Sequence, residues 1–396
     1  MIKGGFKMIF TQVYNFVNTA TAEALGESAV VAEDLSNIIE IGRQLEQVKD
    51  GYDNYVRALT NHIGKVVFSD RKLDLVAPSL VRDSWEYGSI LEKIRCDIPE
   101  ASENETWELV DGQSYNQDKF YKPQVHAEFF NKRVTFEIDL SITDRQVKES
   151  FSNAAQMGAF VAMLYNSIDK SMVIKLNELT MRTINNMIGE TIATEYTNAG
   201  VAYNAGSTVK AVNLLYLYNT KYGTTLTAEN ALTDDEFLRF AAFVIKSYVR
   251  RLRTPSTLFN VNGTKKFTPT ADQHVIMWGE FLSAAEIYLY NGNGQFLTDK
   301  IKLPEADTVE YWQGTGTDYG FASASAINIT TTGGNVVQTS GILACLFDRD
   351  ALGVANLERR VRTHTNDKAE FVNNFVKADA GYWNDFNENF VVFFVA

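Results

Sequence analysis

Cysteine is nearly absent: Cys96 and Cys345 are the two in a chain of 396 residues. They are too few and too far apart for a disulfide framework, and no CxxC pair exists, so a bridge-stapled or thiolate-zinc fold is excluded. A reducing cytoplasm is the natural compartment for such a chain. Proline is also scarce, with 6 residues standing singly, so no proline-rich linker divides the sequence. No low-complexity tract and no internal repeat is found. Uncharged apolar runs never approach the ~18–20 residues of a membrane-spanning helix. The N-terminus imitates a secretory signal, with Lys3 and Lys7 ahead of Met8-Ile9-Phe10 and Ala20-Thr21-Ala22 further on. Thr11, Gln12, Asn15 and Asn18 interrupt the apolar region and argue against that function. Lys3-Gly4-Gly5 is codable as a bacterial ribosome-binding site, which makes Met8 an alternative to Met1 as the natural start.

Basic charge is in deficit. Asp and Glu number 49 against 37 Lys and Arg, a formal charge of −12. A protein gripping nucleic acid through many phosphate contacts is usually basic, so such a role is disfavoured. The clusters Arg250, Arg251, Arg253 and Arg359, Arg360, Arg362 fit pairing with acidic surface between subunits.

Chemistry-bearing motifs are missing too. His62, His126, His274 and His364 lack metal-ligand spacing, and there is no HExxH. Gly314-Thr-Gly316-Thr-Asp-Tyr-Gly320 has its third glycine one place late for a dinucleotide loop. The small and β-branched run Ala322 to Ile329 follows it, not a helix that could face a pyrophosphate. No GxxxxGK[ST] or GxSxG occurs. No catalytic residue, cofactor or metal is therefore expected. Acidic residues are plentiful but none stands out as a catalytic pair, and a carbohydrate-active enzyme is kept as an alternative.

Aromatics are plentiful, with 25 Phe and 18 Tyr, and they must enter cores or interfaces. Residues 21–50 carry a broad apolar stripe (Ala24, Leu25, Val30, Val31, Leu35, Ile38, Ile39, Leu45, Val48) and predict one helix closed by Gly51. Residues 97–141 predict a long β-hairpin. Trp107 to Val110 form the outgoing strand and Asp111-Gly112 a turn. Tyr115, Phe120 and Tyr121 decorate the tip, with Lys119, Lys122 and Lys132 on or near it. The return strand alternates strictly: Val134, Phe136, Ile138 and Leu140 on one face, Thr135, Glu137, Asp139 and Ser141 on the other. An isolated hairpin is marginal in water, so this one needs a surface to lie on.

Thr143-Asp-Arg-Gln146 has capping-box form. Apolar positions then recur at threes and fours from Val147 to Met187. A helix unbroken to Glu190 would be on the order of 70 Å long at ~1.5 Å per residue, a strut. Two helices broken near Asn166 or Asn185 are the alternative. From Gly200 the texture becomes compact α/β. Helices are expected at 209–222, after Thr233-Asp-Asp-Glu236, and at 280–290. Strands are expected at His274–Trp278 and Ile342–Phe347, and twice in the tail, 371–395, around Asn384-Asp385.

This order resembles the tailed-phage major capsid proteins of the Hong Kong 97 type along essentially the whole chain. Three segments also look like that family: Phe267-Thr-Pro-Thr-Ala-Asp-Gln-His-Val-Ile-Met-Trp278, Ile342-Leu-Ala-Cys-Leu-Phe-Asp-Arg-Asp-Ala-Leu-Gly353, and Phe375-Val-Lys-Ala-Asp-Ala-Gly-Tyr382 with Phe390-Val-Val-Phe-Phe-Val395. The resemblance implies an α+β fold: an N-terminal arm (1–66), an extended hairpin loop (97–141), a peripheral domain with a spine helix (67–96, 142–199, 355–396) and an axial domain (200–354). It implies a structural protein, not an enzyme, that self-assembles through hexameric and pentameric capsomers into an icosahedral shell around double-stranded DNA. A separate scaffolding protein, a portal protein and non-specific contact with packaged DNA are implied partners. The virion capsid, and the host bacterial cytoplasm during assembly, are the implied locations. Trp107, Tyr115, Phe120, Tyr121, Arg359 and Arg360 are the expected assembly contacts. An encapsulin-like compartment is one alternative and a tail or baseplate protein another.

Overall fold

The structure, a computed structural model, describes residues 10–26, 29–70, 77–82, 91–96, 101, 103, 107–115, 118, 120–122, 124–196, 209–289, 306–310, 312, 326–366 and 368–396. The N-terminal seven residues and the glycine loop 314–320 lie outside them.

The expected helix over 21–50 is instead divided between two, α1 (Phe10–Leu25) and α2 (Ile38–Gln47), and a third, α3 (Gly51–Asp70), follows. The chain leaves the helix at Gly26, whose φ is +98°. Asn37 then holds an irregular turn, accepting from Ala32 N at 2.8 Å and donating to Val30 O at 2.9 Å. Gly51 opens α3 and does not close a helix. A Cβ there would lie 2.1 Å from Leu45 O, so only glycine permits the sharp turn out of α2.

Two short strands follow, β1 (Val81–Arg82) and β2 (Leu91–Cys96), then β3 (Val125–Phe130) and β4 (Arg133–Thr143). β2 pairs with β3, whereas β4 belongs to another sheet. The expected hairpin is thus corrected. Its strands are 91–96 and 125–130, residues 107–110 form no strand, and the alternating run 133–143 packs on the body. Its face of Ile138 and Ile142 is buried by the helices behind it, a stronger demand than pairing with a nearby segment.

The capping box at Thr143 is formed in full and opens α4 (Asp144–Ser150). The strut breaks at Phe151–Asn153, not at Asn166 or Asn185. Ser150 and Ser152 hydroxyls bond back to Val147 O and Glu149 O, at 2.6 and 2.7 Å. Asn153 then accepts from Gln156 N at 2.9 Å and caps a new helix. That helix, α5 (Ala154–Glu195), runs 42 residues without interruption, about 63 Å at ~1.5 Å per residue. Its first half joins α1–α3 and the inner face of the first sheet in one core, from Met157 to Leu179. Its second half, from Met181 to Ile192, joins a different core behind the second sheet. Buried Thr180, Thr183 and Thr191 bond to carbonyls four residues back, which keeps their hydroxyls satisfied inside the helix.

The remaining elements are β5 (Ala211–Asn213), α6 (Leu214–Tyr222), α7 (Ala228–Ala231), α8 (Asp235–Arg251), β6 (Gln273–Trp278), α9 (Gly279–Leu289), β7 (Ala306–Val309), β8 (Ala326–Thr330), β9 (Val336–Ser340), β10 (Ile342–Asp348), β11 (Leu352–Asn366), β12 (Phe371–Asn384) and β13 (Phe390–Phe394). The expected helix over 209–222 opens with a strand, and Asn213 caps the helix proper. Asp234 caps α8, accepting from Phe237 N at 2.7 Å.

One sheet has the order β1-β11-β12-β4 and the other β5-β13-β10-β6-β7; β8 and β9 pair separately. The tail strands β12 and β13 lie in different sheets. β11 pairs with β12 and β10 with β13, so one long antiparallel ribbon starts in the five-stranded sheet and bends into the four-stranded one. The bend comprises the turn Arg349–Ala351 and the crossing segment Asp385–Asn389. It is fastened by Asp385 N to Ala351 O at 2.7 Å and Asp348 N to Asn389 O at 2.9 Å. At its edge Gly353 lets the Trp383 ring sit flat, since a Cβ there would be 2.3 Å from the indole. Central β10 and β13 are buried on both faces.

Candidate assembly surface

The hairpin β2–β3 has two chemically opposite faces. On the body-facing side stand Lys93, Arg95 and Glu128, with half-buried Leu91 and Phe130 beside them. On the outward side stand Ile94, Cys96, Val125, Ala127 and Phe129, with one charged residue, Glu92, opposite Phe129. Ile94 is 66% exposed and Phe129 61%. This inverts the usual arrangement, in which a strand pair turns its apolar face to its own core. The long connection from β2 to β3 continues the pattern: Trp107 is 75% exposed and Phe120 83%, and Leu109, Val110 and Tyr121 are also exposed. Large apolar side chains are thus exposed on both the hairpin and the described part of its connection. Full burial of each such side chain is worth roughly 1.5–3 kcal/mol.

The expected contacts separate into two groups. Trp107, Tyr115, Phe120 and Tyr121 all lie on the β2–β3 connection. Tyr115 is half-buried, and its hydroxyl accepts from Val110 N at 3.1 Å, which ties the loop to itself. Arg359 and Arg360 lie elsewhere, on β11 of the four-stranded sheet. The Arg360 guanidinium is engaged within the chain, donating to Asp379 Oδ2 at 2.9 Å and Oδ1 at 3.3 Å. Buried Asp379 also accepts from Thr135 Oγ1 at 2.6 Å. Lys122 and Lys132 are exposed at the two ends of the segment before β4, while Lys119 lies outside the described residues.

The group joining the hairpin to the body was not legible as a site. Lys93 Nζ donates to Asp385 Oδ2 at 2.6 Å, Glu388 Oε1 at 3.0 Å and Asp350 O at 3.2 Å. Burial alone would lower the Lys93 pKa, but the carboxylates of Asp385 and Glu388 outweigh it and hold the ammonium form above its ordinary value. Glu388 Oε1 accepts a second ammonium, Lys266, at 2.8 Å. Glu128 accepts from Asn387 Nδ2 at 2.8 Å. Burial and the nearby Asp385 charge push its carboxyl above the usual range, against Arg95, Asn387 and Lys93. The available sequence cue was the alternation in Leu91-Glu-Lys-Ile-Arg-Cys96, six residues long and unremarkable alone.

Other chemistry-bearing groups stay scattered. His62 meets Glu23 at 3.0 Å, and His274 stacks on Phe347. Cys345 is fully buried, which pushes its thiol up, and Cys96 is exposed. Among the described residues no three His, Cys, Asp or Glu side chains converge as a metal set, and no helix is long and apolar enough to cross a membrane.

No curated protein sequence matches the chain. Among solved structures it is similar to the capsid of Staphylococcus phage Andhra, at 10% identity over 80% of this chain and 83% of that one, TM-score 0.47. It is similar to the capsid of cyanophage P-SCSP1u, at 12% identity over 80% and 86%, TM-score 0.41. A chain of the mature capsid of bacteriophage PhiM1 is similar at 8% identity over 80% and 85%, TM-score 0.39. A model of one sequence family matches residues 17–394, nearly the full length, and the chain belongs to that family, the Phi29-like phage major capsid proteins.

Proposed function

We propose that this capsid protein builds the phage head shell by laying the β2–β3 hairpin over an adjacent copy, in an arrangement of the Hong Kong 97 type. The observation that carries this reading is the hairpin's outward face, where Ile94, Val125 and Phe129 are exposed and Glu92 is the one charged residue, while Lys93, Arg95 and Glu128 face the body. A face so built gains free energy only when a second molecule covers it. The hairpin spans 91–130 in this reading, α5 is the spine, the four-stranded sheet with α1–α3 forms the peripheral unit, and the five-stranded sheet with α6–α9 forms the axial unit. Hexameric and pentameric capsomers close the shell. Trp107, Phe120 and Tyr121 extend the contact beyond the hairpin, and exposed Arg362 offers a basic group to the acidic surface of a neighbour.

A separate scaffolding protein and a portal protein complete assembly in the host cytoplasm. Double-stranded DNA is contained without tight binding. The charge of −12 supports this, since each phosphate contact by a basic wall would add about 0.9 to the salt-dependence exponent and hold the genome fast. The shell wall has no catalytic role in this reading.

The test is Ile94→Ser combined with Phe129→Ser, co-expressed with the phage's scaffolding gene product. Assembly is followed by light scattering and folding by circular dichroism. The expected outcome is a folded chain with shell yield reduced at least tenfold. Wild-type yield from the folded variant would remove the hairpin from the assembly contact.

A further inference from the structure

A hairpin whose body-facing side carries Lys93, Arg95 and Glu128 beside half-buried Leu91 and Phe130 is held only in part by hydrophobic burial. Lys93 supplies what burial does not. All three of its N–H donors are used, on Asp385, Glu388 and the Asp350 carbonyl. These acceptors lie on both strands of the bend where the long ribbon passes between sheets: Asp350 in the β10–β11 turn, Asp385 and Glu388 in the β12–β13 crossing segment. Asn387 continues the network. Its amide nitrogen donates to Glu128 on β3 at 2.8 Å and to Asp385 Oδ1 at 3.1 Å. Its oxygen accepts from Asn262 at 3.0 Å and Thr264 at 3.0 Å. Thr264 in turn accepts from Arg95 on β2 at 3.2 Å. The two carboxylates facing Lys93 are almost fully buried, at 2% and 8% side-chain exposure, so neither can turn to water without leaving the ammonium.

We propose that Lys93 is the positioning residue of the assembly arm: it sets the angle of the hairpin by referencing it to the bend that joins the two sheets. In some systems charge pairs with a buried partner specify one geometry more than they add stability, and the Lys93 contact has that form. A three-point ammonium contact spread over two chain segments specifies direction as well as distance. The arm's angle is thereby linked to the relation between the two sheets, and a change in either is felt by the other. The proposal rests on the hairpin's assembly role only for its consequence. The clamp itself is a property of the single chain, and it is tested there.

The experiment places spin labels at Asp111→Cys in the connection and Glu229→Cys at the start of α7, both exposed positions. Cys96→Ser removes the exposed native thiol, and buried Cys345 stays unlabelled. Pulsed electron-paramagnetic measurement on the unassembled protein gives the distance distribution. Lys93→Met is expected to widen it at least twofold with unchanged circular dichroism, and Lys93→Arg, which keeps charge and donors, to narrow it again. Should Lys93→Met fail to fold, Glu388→Gln removes one acceptor charge while keeping shape, and widening is again expected. An unchanged distribution in a folded variant overturns the proposal. Light scattering on the same variants separates the two readings. Widening with lost assembly supports both. Widening with full shell yield keeps the clamp and removes the hairpin's assembly role.

Discussion

Two antiparallel ribbons in this chain obey the same geometry with opposite results. In β11, β12 and β4, the inward row Val361, Val376 and Ile138 enters the core, while the outward row Arg360, Lys377 and Glu137 meets solvent, with Lys377 and Glu137 paired at 2.7 Å. In β2 and β3, the row containing Lys93 and Glu128 is turned inward, while Ile94 and Phe129 are turned out. Period-two alternation therefore states that one face of a strand will be buried. In β2 and β3 the apolar row is the exposed one, and under the proposed assembly a neighbouring copy covers it. For a shell subunit this distinction separates the parts that fold the chain from the parts that join it to others.

The comparison breaks most visibly in the core ribbon. Phe393 on β13 is fully buried and meets Tyr248 edge-on at 5.2 Å. Phe393→Ala is expected to cost about 3–5 kcal/mol in urea denaturation of the unassembled chain. Phe129→Ala, the same cut on the outward face of the hairpin, is expected to stay within about 0.5 kcal/mol of wild type. Similar losses at the two positions would abolish the distinction between folding surface and joining surface.

A middle-sized effect is expected at Arg360. Arg360→Met leaves the buried Asp379 carboxylate with the Thr135 hydroxyl and no cation. The guanidinium is 37% exposed, so solvent screening reduces the pair's worth, and a loss of about 1–2 kcal/mol is expected. Adding Asp379→Asn should recover part of it, as a double-mutant cycle will measure. Additive losses would mean that the pair is not coupled.

The smallest effect concerns pH and sharpens the account of the hairpin root. Lys93 has its pKa raised above 10.5 in the folded chain. The stability it contributes is therefore fully present below 10.5 and is lost as pH rises through the higher folded value. The difference in stability between wild type and Lys93→Met should be flat below 10.5 and shrink above it. A difference independent of pH across that range would point to packing by the lysine stem, not to its charge.

Much of this protein is readable from local pattern. Thr143 with Gln146, Asp234 ahead of Phe237, the threes and fours of α5, and the apolar run Ile342–Phe347 each name their element, because caps and periodicity involve neighbours a few residues apart. The aromatic connection carrying Trp107, Phe120 and Tyr121 was likewise legible as exposed surface in search of cover. Tertiary structure decided the rest. Strict alternation over 133–143 was compatible with a hairpin, yet β4 pairs with β12, and Thr135 meets Asp379 across 244 residues of sequence. The helix expected over 21–50 broke where Gly26 allows a turn that a periodic stripe does not register, and Gly51, the expected closing residue, opens the next helix. The clamp of Lys93 on Asp385 and Glu388 depends on a bend shared by two sheets. A lysine among ordinary charges acquires a defined partner only when folding removes water from both, and that removal is set by contacts made far along the chain.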